Sequence, residues 1–204
     1  MPIRDDREYR ITGEFAFEPD HDYMVEGYAS TFAPYPMLEQ DGNTYYERIE
    51  PHAFDETDMS DVVFLRDHEG RVLARTKNQS IELSVDEHGL HQRSNLGLTG
   101  ASREMFEDIK AGNYTQMSFS FVVAEEHYDK STRTRVIDRI KKLYDISAVS
   151  FPANPGTEIG ISSRSYFDGV IEMERAERLA EEERARAKAK LKLRLKLLEV
   201  NHDI

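Results

Sequence analysis

The 204-residue sequence contains no cysteine. Disulfides, thiolate zinc sites and a cysteine nucleophile are thereby excluded, and a reducing cytoplasm is permitted. Cations are also in short supply: 27 Lys and Arg stand against 39 Asp and Glu, a formal net charge of −12. Gripping nucleic-acid phosphates needs clustered Lys and Arg, so protein partners are expected and nucleic acid is not. No stretch approaches the roughly 20 apolar residues of a membrane span, and the start MPIRDDREYR lacks the apolar core of a secretion signal. The expectation is a soluble protein retained where it is made. Phosphate loops of the GxxxxGKS or GxGxxG type and the GxSxG elbow do not occur, which disfavours nucleotide-dependent chemistry and small-molecule esterases. There is no internal repeat.

What is present over the first ~160 residues is short-period alternation of apolar side chains. It marks strands at Tyr9-Ile11, Phe15-Phe17, Met24 to Phe32, Val62 to Leu65 and Ile81 to Val85. Turn residues separate them at Glu18-Pro19-Asp20, Ala33 to Pro36, Gln40 to Asn43 and Glu87-His88-Gly89. The spacing suits a barrel or sandwich. One helix is predicted over Ser102 to Ala111, where Met105, Phe106 and Ile109 share a face and Gly112-Asn113 supplies a stop. A shorter helical turn is expected after Pro51.

From Tyr166 the composition changes to Glu, Arg, Lys, Ala and Leu, that of a long exposed helix. Acids (Glu172, Glu174, Glu177, Glu181 to Glu183) precede bases (Arg184 to Lys196), the order that a helix dipole favours. The closing KLKLRLKLLEV alternates strictly and fits a strand as well as a helix; helix is the expectation. The chain thus divides into a domain over residues 1–165 and an arm over 166–204.

Without cysteine, acyl-transfer chemistry needs a Ser or Thr beside a base, and imidazole is the usual base because it titrates near neutrality. Of seven histidines, His68 stands apart: it follows the apolar run Val62-Val63-Phe64-Leu65, where a buried strand emerges into a polar turn. In Gln116-Met117-Ser118-Phe119-Ser120-Phe121, one face is apolar and the other carries two hydroxyls. Asp145 is the single carboxylate in the strand-like run from Leu143 to Phe151, and an inward-facing acid there could hold an imidazole in one tautomer. These local patterns also accommodate a surface histidine, a Ser-rich solvent face, and an Asp145 paired with Lys141 or Lys142. His88 and His91 bracket an apparent hairpin turn with no third metal ligand placed by spacing, and His52 carries no further signal.

Taken in order, these segments resemble the phage prohead serine proteases, relatives in fold of the herpesvirus assemblins. The match runs through Val25 to Phe32, Glu47 to Phe54, Phe64-Leu65-Arg66-Asp67-His68, Asp86 to Leu90, Asp108 to Gly112, Met117 to Phe121, and Asp145-Ile146-Ser147-Ala148-Val149-Ser150-Phe151-Pro152-Ala153-Asn154-Pro155. The resemblance implies an α+β, mainly antiparallel fold, an assemblin-like β-barrel with surrounding helices and a C-terminal helical arm. It implies a serine endopeptidase with His68 as general base, Ser118 as nucleophile and Asp145 as third member, where the family usually has Glu. Ser120, a position the family often gives to Gly, shares the face of Ser118 and is the rival nucleophile. Oxyanion donors are expected around Ser150 to Asn154, with no metal or organic cofactor. The implied substrates are capsid or scaffold proteins, cut inside the assembling prohead in the host cytoplasm, with self-cleavage and a homodimer also implied. The alternative is a non-enzymatic assembly module of the same fold.

Overall fold

A computed structural model of the chain describes residues 7–17, 23–150 and 161–200. In chain order the elements are β1 (Glu8–Phe17), β2 (Met24–Thr31), β3 (Tyr35–Gln40), β4 (Asn43–Ile49), β5 (Val63–Arg66), β6 (Glu69–Arg75), β7 (Ile81–Val85), β8 (Gly89–Asn95), α1 (Gly100–Lys110), β9 (Gln116–Asp129), β10 (Thr134–Val149) and α2 (Ile161–Val200). The chain divides into two units after Ser162. The first holds the strands and α1.

The fold is α+β with mostly antiparallel pairing. Hydrogen bonds run β3-β4-β10-β9-β1-β2-β8-β7, and the hairpin β5–β6 joins through β5 to β10. The sixteen-residue β10 is the axis. It pairs antiparallel with β9 along one edge; on the other it pairs parallel with β4 over Thr134 to Ile137 and with β5 over Asp145 to Ala148. The expected closed barrel does not form: among the described residues no ladder joins β3 to β7. Pro36 gives one reason, since a residue without an amide hydrogen suits an edge strand. The Tyr35-Pro36 pair, expected as part of a turn, therefore opens β3, and the bend falls at Phe32-Ala33.

The apolar alternation builds one core. Phe119, Phe121, Met117, Ile137, Ile140, Leu143 and Ile146 from β9 and β10 are fully buried beside Phe54, Phe64 and Leu90. The helix α1 adds Met105 and Ile109. It starts two residues earlier than predicted because Thr99 caps it, accepting from the Ser102 amide at 3.1 Å. Ser102 Oγ then donates to the carbonyl of Leu73 in β6 at 2.6 Å, docking the helix on the sheet. Gly112, at φ 81°, closes it: the Gly112 and Asn113 amides return to Ile109 and Asp108. After Pro51 there is no helix. Consecutive i→i+3 turns carry the chain to Thr57, whose hydroxyl bonds the carbonyls of Ala53 and Ile140.

The second unit is helical through Val200, so the alternating KLKLRLKLLEV is helix and not strand. Its buried side chains, Ser163, Phe167, Val170 and Ile171, fall three or four apart on one stripe, and almost every described side chain from Glu172 to Arg194 is exposed.

Apart from Asp145, four charged side chains are buried, and they form one set. Alternation in β4 (Tyr45, Glu47, Ile49) turns Glu47 inward at 0% exposure. Arg10 bonds both carboxylate oxygens of Glu47 and also reaches Glu8, while Arg135 donates to Glu8 at 2.8 Å and to Glu47 at 3.0 Å. Tyr35 donates to Glu47 as well. Burial alone would raise the Glu8 pKa, but hydrogen bonds from Arg135 and Arg10 and their charges bring it down to about 2. The set is balanced, and removing one member strands the others. Glu47→Ala should therefore lower unfolding stability by about 3–5 kcal/mol, read from urea denaturation, whereas surface replacements such as Glu56→Ala should change it by less than about 0.5 kcal/mol.

Candidate active site

Two facing strands place four polar side chains side by side. In the β9–β10 ladder Ser118 lies opposite Ser147 and Ser120 opposite Asp145. Residues i and i+2 of a strand share a face, so all four look one way, while Phe119, Phe121 and Ile146 look the other way into the core. The arrangement depends on a β-bulge. Leu143 pairs with Phe121 and Asp145 with Ser120, leaving Tyr144 as an extra residue. Without it Asp145 would oppose Phe119 and point into the apolar core. The guanidinium of Arg7 lies 3.7 Å over the Tyr144 ring.

His68 comes from the tight hairpin between β5 and β6. Arg66 pairs with Glu69, and the two residues between them, Asp67 and His68, both adopt positive φ, 47° and 60°. That is the form of a type I′ turn. Asn and Gly favour it; Asp and His tolerate it at roughly 1–2 kcal/mol each. The end of β10 holds the turn in place. Asp67 donates its amide to the carbonyl of Ala148 at 2.9 Å, its carboxylate accepts from the amide of Ser150, and the His68 amide donates to Ser147 Oγ at 3.2 Å.

The imidazole so carried spans the two strands. Nε2 lies 2.5 Å from Ser118 Oγ and Nδ1 lies 2.5 Å from Asp145 Oδ1. An ionised carboxylate can only accept, so Nδ1 carries the proton and Nε2 accepts from the Ser118 hydroxyl. Ser118 and Asp145 are 1% and 3% exposed, and the His68 side chain is 17% exposed. Tyr9 of β1 packs edge-on against the imidazole, ring centroids 4.7 Å apart. Burial is the largest influence on Asp145 and would raise its pKa. Hydrogen bonds from His68, Ser120 and Ser147, with the electrostatic attraction of the imidazole, together outweigh it and the pKa is lowered. A hydroxyl, an imidazole and an ionised carboxylate in this order can pass a proton away from the hydroxyl as it attacks an electrophile.

The three residues singled out for chemistry are thus together, and the surface alternatives are not adopted. Lys142 pairs with Asp58 at 2.7 Å, not with Asp145. Ser120 Oγ donates to Asp145 Oδ2, which turns the rival hydroxyl away from the imidazole. Elsewhere, His88 and His91 both pack on the Tyr28 ring beside the β7–β8 hairpin, and His52 contacts Asp55 on the surface. Among the described residues no three His, Asp or Glu side chains are grouped to hold a metal ion. Of the segment expected to donate to an oxyanion, Phe151 to Asn154 lie outside the described residues. Ser147 and Tyr9 were not anticipated. Ser147 was findable, because it stands two residues after Asp145 on the same strand.

A family model described as caudovirus prohead serine protease matches residues 14–169. A prohead protease of Enterobacteria phage HK97 is 31% identical over 175 residues, 81% of this chain and 68% of that protein. No solved structure matches.

The lowered pKa of Asp145 carries a pH dependence. A carboxyl with a depressed folded pKa contributes stability above its unfolded value, 3.8, and loses it as pH falls through the folded one. Urea midpoints measured across that range should therefore fall less steeply with acid in Asp145→Asn than in the wild type.

Proposed function

The chain belongs to the caudovirus prohead serine protease family, and from that premise we propose that Ser118 is its nucleophile, His68 the general base and Asp145 the carboxylate that orients the base. The observation that carries this reading is the unbroken line of two 2.5 Å contacts from Ser118 Oγ through the imidazole to Asp145. Near-attack geometry needs the base within about 3 Å of the proton it takes. His68 removes the Ser118 proton as Oγ attacks a peptide carbonyl. The tetrahedral oxyanion is held by amide donors, assigned by resemblance to the Ser150–Asn154 segment. His68, now imidazolium against Asp145, protonates the departing amine, and the ester left on Ser118 is hydrolysed by water activated in the same way. No step calls for a metal or organic cofactor.

In this reading the substrates are capsid or scaffold proteins, cut inside the assembling prohead in the host cytoplasm, and the enzyme acts as a homodimer. Residues 1–165 carry the chemistry. The arm over 166–204, exposed along most of its described length, directs the protease into the prohead or is removed by self-cleavage. Kinship with the assemblins lies in a β-rich body that presents the three side chains, not in a closed hydrogen-bonded barrel.

A fluorophosphonate probe tests the assignment. Labelling should vanish in Ser118→Ala, slow by about a thousandfold or more in His68→Ala, and persist in Ser120→Ala. An unlabelled wild type, assayed in assembled proheads, would favour the non-enzymatic assembly module. Mass-spectrometric mapping of co-expressed capsid protein should show cuts that disappear with Ser118→Ala.

A further inference from the structure

We propose that Ser120 and Ser147 are positioning residues that clamp the Asp145 carboxylate against the imidazole of His68. The inference rests on the reading of the site given above. Asp145 is 3% exposed, so water is not at hand to satisfy its oxygens, and a buried carboxylate without donors is costly. The protein supplies three. Oδ1 accepts from His68 Nδ1 at 2.5 Å and from Ser147 Oγ at 2.9 Å, and Oδ2 accepts from Ser120 Oγ. Each oxygen is therefore tied to a serine on a different strand, and both torsions of the short Asp side chain are fixed.

Ser147 does more than Ser120. The oxygen that donates to Asp145 also accepts the backbone amide of His68 at 3.2 Å. One hydroxyl thus binds the carboxylate and the strained turn carrying the base into one unit, with Nδ1 3.2 Å away. Both serines are 0% exposed, and their hydroxyls bond Asp145 and the His68 turn, not Ser118 Oγ, so they act through Asp145 and His68 and not on the substrate.

The test compares Ser147→Thr with Ser147→Val, which match in shape and differ in the hydroxyl, by the fluorophosphonate labelling rate of the full chain as a function of pH. Ser147→Val should label roughly tenfold more slowly than Ser147→Thr, with the acid limb of its profile moved to higher pH as the Asp145 carboxylate loses a donor. Ser120→Ala should move the limb the same way while remaining labelled. Equal rates and superimposable profiles for the Thr and Val variants overturn the proposal, whatever their melting temperatures. A labelled wild type with that result sinks only the clamp; a wild type that takes no label sinks the assignment of Ser118 and the clamp with it.

Discussion

The register between β9 and β10 is the constraint on which the site depends. Because side chains alternate strictly, a slip of one residue would send Ser118 and Ser120 to the core and Phe119 and Phe121 to the serines' face. The apolar side fixes that register: Met117, Phe119 and Phe121 are buried, as are Ile146 and Ala148 across from them. Burying such side chains is worth roughly 1.5–3 kcal/mol each for the larger ones. The polar face inherits its alignment from the apolar one. The bulge at Tyr144 then corrects a single phase, converting a continuous ladder into one that sets a carboxylate beside a hydroxyl.

A second balance of forces lies on the other face of β1. Tyr9 and Ile11 oppose Ser120 and Ser118, whereas Glu8 and Arg10 oppose Phe121 and Phe119. The strand that lays a tyrosine ring against the imidazole therefore sends its ionic groups into the buried set with Glu47 and Arg135. Such a set contributes less net stability than well-packed hydrocarbon, since desolvating four charges offsets much of their attraction. What it supplies is uniqueness: β1 cannot shift along β9 without pulling Arg10 away from Glu47 and Glu8 away from Arg135.

Much of this was legible in residue order. Alternation located β2, β5, β7 and β9, and the change in composition at Tyr166 announced the long helix. The three side chains that meet were each found at a strand or its edge. Other features were hidden for physical reasons. Pro36 looks like turn chemistry until an edge strand gives it a place where no amide is required. β1 has polar residues facing inward, so hydropathy alone cannot say which of its faces is buried. The phase change at Tyr144 leaves no trace in composition, because a bulge is a relation between two strands. The I′ turn carries Asp-His in place of Asn-Gly and is stabilised from outside, by the end of β10. Sequence alternation placed Ser120 beside Ser118 and could go no further, since the direction of a hydroxyl proton is settled by the acceptor it finds.

The order of the strands along the chain has a temporal consequence. β10 is made last of the ten and lies between β9 on one side and β4 and β5 on the other, so β5 has no sheet neighbour beyond its own hairpin until residues 145 to 148 arrive. During synthesis the imidazole and the hydroxyl exist first as separate groups on an unfinished sheet, without a carboxylate between them and without the amide contacts that steady the turn. Contacts spanning 50 and 77 residues also carry a loop-closure cost that local ones do not. On the assignment proposed for Ser118, a polypeptide still growing on the ribosome holds no assembled cutting centre.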